Sequence, residues 1–333
     1  MVMIGEGRAT YQGETLDGAE ALKRAGLKPV VLSSKEGLIL LSGTTSVTAF
    51  ASLAIYDAQT LSLTADIAGS FTLEVLKGTL MAMDERLMAV RPHPDQINTA
   101  ANIRAILKDS PMLERYRGHR VQDALSIRCM PQLHGPVKKA VKDAQATLAI
   151  ELNSSVDNPL IFDEEDGGAV ALMGCNADGT YAGMASDNLC IAITDLCKMS
   201  NSRIDRLLNS LVSELPAFLN KNADFNNGLM MIQYASAGLQ GELRILAHPA
   251  VVDNLTTCAN QEDYVNMGYN AAKKAYDSMH LAKYILAAEL ICDGQALDCY
   301  EDKRCAKGTQ AIYDLLRSKV PEMDNDMPLT PYL

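Results

Sequence analysis

Tryptophan is absent from this 333-residue sequence, and Phe, Tyr and Trp together make up only 5% of it. Ala, Leu, Met and Ile dominate instead, a balance that favours helix over sheet. Positive charge is also short. Lys and Arg number 30 against 41 Asp and Glu, and the formal charge of −11 argues against a nucleic-acid partner. No apolar run reaches the ~20 residues of a membrane span, because Lys, Asp, Ser or Gly interrupts each one. The opening text Met1-Val2-Met3-Ile4-Gly5-Glu6-Gly7-Arg8 lacks the apolar stretch of a signal peptide. None of the eight cysteines sits in a Cys-x-x-Cys pair, so reduced, mostly structural thiols in a cytoplasmic protein are expected. The five histidines are scattered without a His-Glu-x-x-His pattern, and the glycines 167, 168 and 174 form no phosphate loop, so neither a metal nor a nucleotide site is expected.

What is present is an apolar fraction of 48%, too high for a disordered acidic chain. The length corresponds to about two domain equivalents of ~150 residues, yet no repeat or flexible linker divides it, and a single helical domain over 1–333 is expected. Residues 1–30 read as irregular, and helical text begins at Ser33 and Ser34 as caps. Ser46 to about Val90 reads as one or two long helices broken near Gly69 and Gly78. Arg91-Pro92-His93-Pro94 is a break, and Gln96–Lys108 follows as a helix. Pro136 to about Asn153 carries Val137, Ala140, Val141, Ala144, Leu148 and Leu152 at helical spacing. Ser154–Ala182 is the main non-helical interruption. Helices then run from Met184 to about Val212, over Gly228–Leu246 and over Asp263–Asp293, the last with a stripe of Ala275, Met279, Ala282, Leu286 and Leu290. The expected fold is all-α: a long-helix bundle forming the core of an oligomer, since such helices need neighbours on several sides.

Four polar segments interrupt this bundle text. They are Val121-Gln122-Asp123-Ala124-Leu125-Ser126-Ile127-Arg128-Cys129-Met130-Pro131-Gln132-Leu133-His134-Gly135, Asn153-Ser154-Ser155-Val156-Asp157-Asn158-Pro159-Leu160, Leu246-Ala247-His248-Pro249-Ala250, and Ala259-Asn260-Gln261-Glu262-Asp263-Tyr264-Val265-Asn266-Met267-Gly268. In this order, with Lys35-Glu36-Gly37-Leu38, Arg91-Pro92-His93-Pro94 and Asp187-Asn188-Leu189, the chain resembles the histidine/phenylalanine ammonia-lyase family over nearly its whole length. The histidine branch is closest, because Arg-Cys-x-Pro-Gln and Gln-Glu-Asp are its versions of the motifs.

The resemblance implies a carbon–nitrogen lyase, a cytoplasmic helical homotetramer acting on a small amino acid, with active sites built from three subunits. It also implies a 4-methylidene-imidazol-5-one electrophile made from Ala-Ser-Gly. That tripeptide does not occur in these 333 residues. The first residues resemble family text just downstream of it, so the chain is expected to be a fragment, or one subunit of a hetero-oligomer completed by an electrophile-bearing N-terminal polypeptide. Poor solubility without that partner is expected.

Deamination removes a weakly acidic β-proton and expels an amine, which calls for an electrophile, a base and a cationic anchor for the carboxylate. Arg128 suits the anchor, with pairing to Asp123 as its structural alternative. Glu262 matches the family glutamate beside the substrate side chain, or serves as an acid in the first turn of a helix. Met230 falls where the histidine enzymes carry Met, and otherwise reads as core. Gln122 and Gln261 are amide donors to substrate or prosthetic group, or buried structural amides. Ser42, Leu125 and Ala177 depart from the family's Asn, Tyr and Phe, whereas Asn176 is retained. The expected function is ammonia elimination from L-histidine or a related aromatic amino acid to an α,β-unsaturated acid such as urocanate. An aminomutase, a lyase for another aromatic substrate, and a non-catalytic helical scaffold are the alternatives.

Overall fold

The glycine-rich text of residues 1–30 turns out to be ordered. Strand β1 (Arg8–Tyr11) pairs antiparallel with β2 (Glu14–Asp17). Gln12 and Gly13 join them with φ of 50° and 86°, the two-residue turn whose twist matches the strands. Gln12 in place of Asn or Asp hides that turn in the sequence. Helix α1 (Gly18–Arg24) follows at once. A Cβ on Gly18 would lie 2.3 Å from the Glu6 carbonyl oxygen, so only glycine permits this approach.

These elements belong to one of two compact units, Met1–Thr45 with Ser155–Asp178; the other comprises Ser46–Ser154 with Gly179–Leu333. The coordinates are a computed structural model describing residues 1–222 and 225–332. In the first unit, α2 (Glu36–Ile39) is all that forms of the helix expected from Ser33. The Lys35 ammonium joins the unit's two stretches by binding Asp157 at 2.5 Å and the Pro159 carbonyl. Beyond a cis Asn158-Pro159 bond, β3 (Leu160–Asp163) pairs antiparallel with β4 (Ala169–Leu172).

The second unit is helical, as expected. It begins with the 31-residue α3 (Thr45–Val75), then α4 (Glu85–Ala89), α5 (Pro94–Ile106), α6 (Pro111–Arg115) and α7 (Leu125–Arg128). The long rods α8 (Met130–Glu151) and α9 (Thr180–Leu208) precede the single turn α10 (Ser210–Ser213). Helices α11 (Met230–Leu246), α12 (Gly268–Asp298) and α13 (Lys307–Arg317) complete it. Helix α9 lies against α12, α8 against α5 and α9, and α11 against α9 and α12.

Three boundaries differ from expectation. Gly69 does not break α3; a Cβ there would meet Met130 Sδ at 2.2 Å and Arg203 Cζ at 3.4 Å, so the glycine serves close approach. Helix α8 starts at Met130 and contains Pro136. Helix α12 starts at Gly268, not Asp263, and runs on to Asp298. The stripes on α8 and α12 are buried, except that Leu152 is exposed past the end of α8 and Leu290 is only half-buried. All eight cysteines are free thiols.

The core holds ions as well as hydrocarbon. Arg203 on α9 and Glu289 on α12 are both fully buried and form a two-pronged pair, with Nη2 to Oε2 at 2.9 Å and a second bond from Nε to Oε1. Ser200 donates to the same carboxylate. The Thr72 hydroxyl of α3 lies 3.0 Å from Glu289 and 2.7 Å from Asp293. A hydroxyl has one proton, so Thr72 donates to one oxygen and accepts from the other. Burial, then the Glu289 charge, pushes the Asp293 carboxyl well above the usual range, which makes Asp293 the protonated donor. A second buried carboxylate, Asp66 on α3, accepts from His134 Nδ1 at 2.8 Å, Asn102 at 2.8 Å and the Lys138 ammonium. Burial opposes its ionisation, but His134 and Lys138 outweigh that and hold its carboxyl below the usual range. Burial also lowers His134 and keeps it neutral.

Two stability outcomes follow from the central pair. Glu289→Gln leaves the Arg203 charge buried without its partner and is expected to cost about 3–5 kcal/mol in urea unfolding. Asp293 has a folded-state pKa above its unfolded value, so its contribution is fully present below about pH 4 and is lost as pH rises through the folded value. Unfolding free energy should therefore fall over that rise in the parent protein, and Asp293→Asn should flatten the dependence. An unchanged pH slope in the variant would refute the assignment.

Candidate active site

The segment before α7 is pinned by Asp123. Its Oδ2 accepts from the Thr79 backbone N–H at 2.8 Å, while Oδ1 is buried without a partner among the described residues. Burial pushes its carboxyl up, against the opposing pull of the Thr79 N–H and of Arg120. The acid that could have neutralised Arg128 is thus bonded elsewhere. Arg128, the last residue of α7, donates from Nη1 to Gln122 Oε1 at 3.0 Å. Its Nε is buried without a hydrogen bond. Among the described residues no carboxylate hydrogen-bonds this guanidinium, so its fork retains capacity for an incoming anion. Gln122 is exposed, and with its oxygen turned to Arg128 its amide N–H₂ is left as donor. Leu125, at the start of α7, is 62% exposed and offers no donor.

The second segment is a loop closed twice. Asn254 forms the neck: its Nδ2 donates to the Asp263 carbonyl at 3.0 Å, and its Oδ1 accepts from the Val265 N–H at 2.8 Å. Inside, the Thr257 N–H donates to the Glu262 carbonyl at 2.8 Å, and the Asn260 N–H donates to the Thr257 carbonyl at 3.1 Å. Between them Cys258, Ala259 and Asn260 have φ of 48°, 52° and 69°. A left-handed L-residue costs roughly 1–2 kcal/mol, so the ring persists because its closing bonds hold it. The Glu262 carboxylate accepts from the Thr257 hydroxyl at 2.6 Å. Hydrogen bonding to Glu262, then that carboxylate's charge, pushes the exposed Cys258 thiol up.

Because α12 begins at Gly268, Glu262 lies outside its first turn, and the helix-acid alternative for Glu262 is removed. Gln261 is exposed on the same ring. Met230 opens α11 and is half-buried. The geometry joins Arg128 to Gln122, and Glu262 to Thr257; the side chains of Met230 and Gln261 bond to none of these. In the other unit, half-buried Ser42 ends a turn through its N–H to the Leu38 carbonyl at 2.8 Å. Exposed Asn176 has a single long bond, 3.5 Å, to the Ser155 carbonyl. Sequence reasoning missed Asn254 and Thr257, whose partners lie across a ring that no periodicity flags.

Clefts of about 790, 900 and 820 Å³ occur in the helical unit, and none of these candidate residues lines them. Among the described residues there is no cluster of metal-ligating side chains, and no helix is long and apolar enough to cross a membrane.

Comparison with known proteins gives a consistent result. Residues 1–318 match the family described as aromatic amino acid lyase. A histidine ammonia-lyase of Alkaliphilus oremlandii is 43% identical over 326 residues, covering 98% of this chain and 64% of the relative. This chain thus spans a little under two-thirds of that relative's length. The crystal structure of histidine ammonia-lyase from Trypanosoma cruzi superposes with TM-score 0.90 at 33% identity, over 99% of this chain and 63% of that one. Phenylalanine aminomutase of Pantoea agglomerans gives TM-score 0.92 at 34% identity, over 99% and 68%.

The absence of a carboxylate hydrogen-bonded to Arg128 among the described residues can be checked by unfolding. Arg128→Met should cost less than the roughly 3–5 kcal/mol of a broken buried ion pair, on the order of 1 kcal/mol, because Asp123 feels this charge without bonding to it. A loss near 3–5 kcal/mol would instead mark a structural ion pair.

Proposed function

The chain belongs to the aromatic amino acid lyase family, and on that premise we propose that it is the substrate-binding part of an ammonia-lyase that converts L-histidine to urocanate and ammonia. The observation that carries this reading is the Arg128 guanidinium, held by Gln122 and, among the described residues, hydrogen-bonded to no carboxylate. It is the anchor for the substrate carboxylate, gripping it bidentately and fixing the β-carbon for proton removal. Glu262, projecting from a loop rather than capping a helix, holds the imidazole by a charge-assisted bond. Gln122 and Gln261 donate amide hydrogens to the bound molecule, and Met230 packs beside it.

A 4-methylidene-imidazol-5-one would supply the electrophile that activates the substrate. Its Ala-Ser-Gly precursor does not occur in these 333 residues, and we assign it to a further segment or polypeptide. The donors available suit such a group in part: Asn176, with one long bond of its own, and Ser42 can donate to it, while Leu125 cannot. The loss of donor and bulk at Leu125 and Ala177 favours a second reading, an aminomutase or a lyase for a different aromatic amino acid.

Exposed apolar helix faces support the same proposal. Leu53, Tyr56 and Leu63 on α3, and Met231, Tyr234 and Ile245 on α11, are exposed at helical spacing. A homotetramer, or a hetero-oligomer with the electrophile-bearing polypeptide, would cover these faces. The free thiols fit a cytoplasmic setting.

The test is to combine the chain with a polypeptide carrying Ala-Ser-Gly and follow urocanate formation by ultraviolet absorbance. Turnover of L-histidine is expected, with Arg128→Met lowering kcat/KM by the equivalent of about 2–5 kcal/mol. Products from another aromatic amino acid, but not from histidine, would establish the second reading. No product across a panel of aromatic amino acids would leave a non-catalytic scaffold.

A further inference from the structure

The ring from Thr257 to Glu262 is built around a carboxylate that it could have left free. Thr257 is tied to Glu262 at both backbone and side chain: N–H to carbonyl at 2.8 Å, and hydroxyl to Oε2 at 2.6 Å. Three successive non-glycine residues between them are held left-handed, a conformation that local preference opposes. The neck at Asn254 keeps the ring's ends together independently of these bonds. Such a frame has one evident product, a fixed direction for the Glu262 carboxylate on an otherwise exposed loop.

We propose that Thr257 is a positioning residue that holds the Glu262 carboxylate for substrate through its hydroxyl, an assignment that rests on the substrate role given to Glu262 above. The hydroxyl occupies Oε2, and an imidazole N–H would replace the Cys258 thiol as the carboxylate's other partner. A carboxylate restrained to one rotamer loses less freedom on binding than one sampling several.

Cys258 reports this arrangement without any need for catalysis, because its thiol is suppressed by the same carboxylate. The experiment measures Cys258 alkylation by iodoacetamide against pH, resolved from the other cysteines by peptide mass spectrometry, in the parent chain and in E262Q, T257V and T257S. Since the thiolate is the reacting form, E262Q should move the profile to lower pH and speed alkylation several-fold at neutral pH. T257V should move it the same way, because the released carboxylate swings into water, and T257S should stay with the parent. A T257V profile that overlays the parent, or moves to higher pH, overturns the proposal. So does an E262Q profile that does not move.

Histidine kinetics in the completed enzyme separate this from the functional reading. T257V should raise KM several-fold with little change in kcat, and T257S should restore it. If the alkylation profile shifts while KM for histidine does not, Thr257 still positions Glu262, and it is the substrate role of Glu262 that falls.

Discussion

The buried pair between Arg203 and Glu289 sets the terms for the helical unit. Stripping two such ions of water costs several kcal/mol each, and mutual attraction offsets that only when every remaining hydrogen-bonding position is filled. Here Ser200, Thr72 and the Ser126 carbonyl fill them. The consequence is registry. Helices α3, α9 and α12 each contribute a group to one cluster, so a one-turn slide of α9 or α12 would strand a charge in hydrocarbon, and one of α3 would remove the Thr72 hydroxyl from Glu289 and Asp293. Gly69 belongs to the same constraint, since a side chain there would occupy space held by Met130 and the guanidinium.

The candidate site obeys the opposite logic. In the core, buried charges are paired with opposite charges, whereas at the candidate site no carboxylate hydrogen-bonds Arg128 among the described residues. Among the described residues, Asp123 has an oxygen without a partner and Asn176 has one long bond. Asp123 is buried, Arg128 is half-buried at the end of α7 and Asn176 is exposed, and none of the three lines the clefts.

Much of the fold was legible because the long helices write a 3.6-residue period in Ala, Leu, Met and Ile. What misled was the reading of single residues by type. Gly69 resembles a helix breaker and is a close-approach point; Pro136 resembles a helix start and lies inside α8. The stripe on α12 is the clearest case. Continued strictly from Ala282 and Leu286, it lands on Glu289 and Asp293, and only an expectation of apolar residues diverts it to Leu290, which is less buried. The motifs singled out the segments that hold Arg128, Gln122 and Glu262. Their bonding partners were not legible, because a hydroxyl closing a ring across three left-handed residues leaves no periodic trace.

The neck formed by Asn254 insulates what lies beyond it. Its two bonds grip backbone atoms of Asp263 and Val265, not side chains, so they are indifferent to which residues occupy the ring. Strain in the ring is contained before it reaches α12, and disturbance of the bundle stops at the same place. The loop is therefore a module in the mechanical sense: side chains within it can be exchanged without altering the two bonds that close its neck.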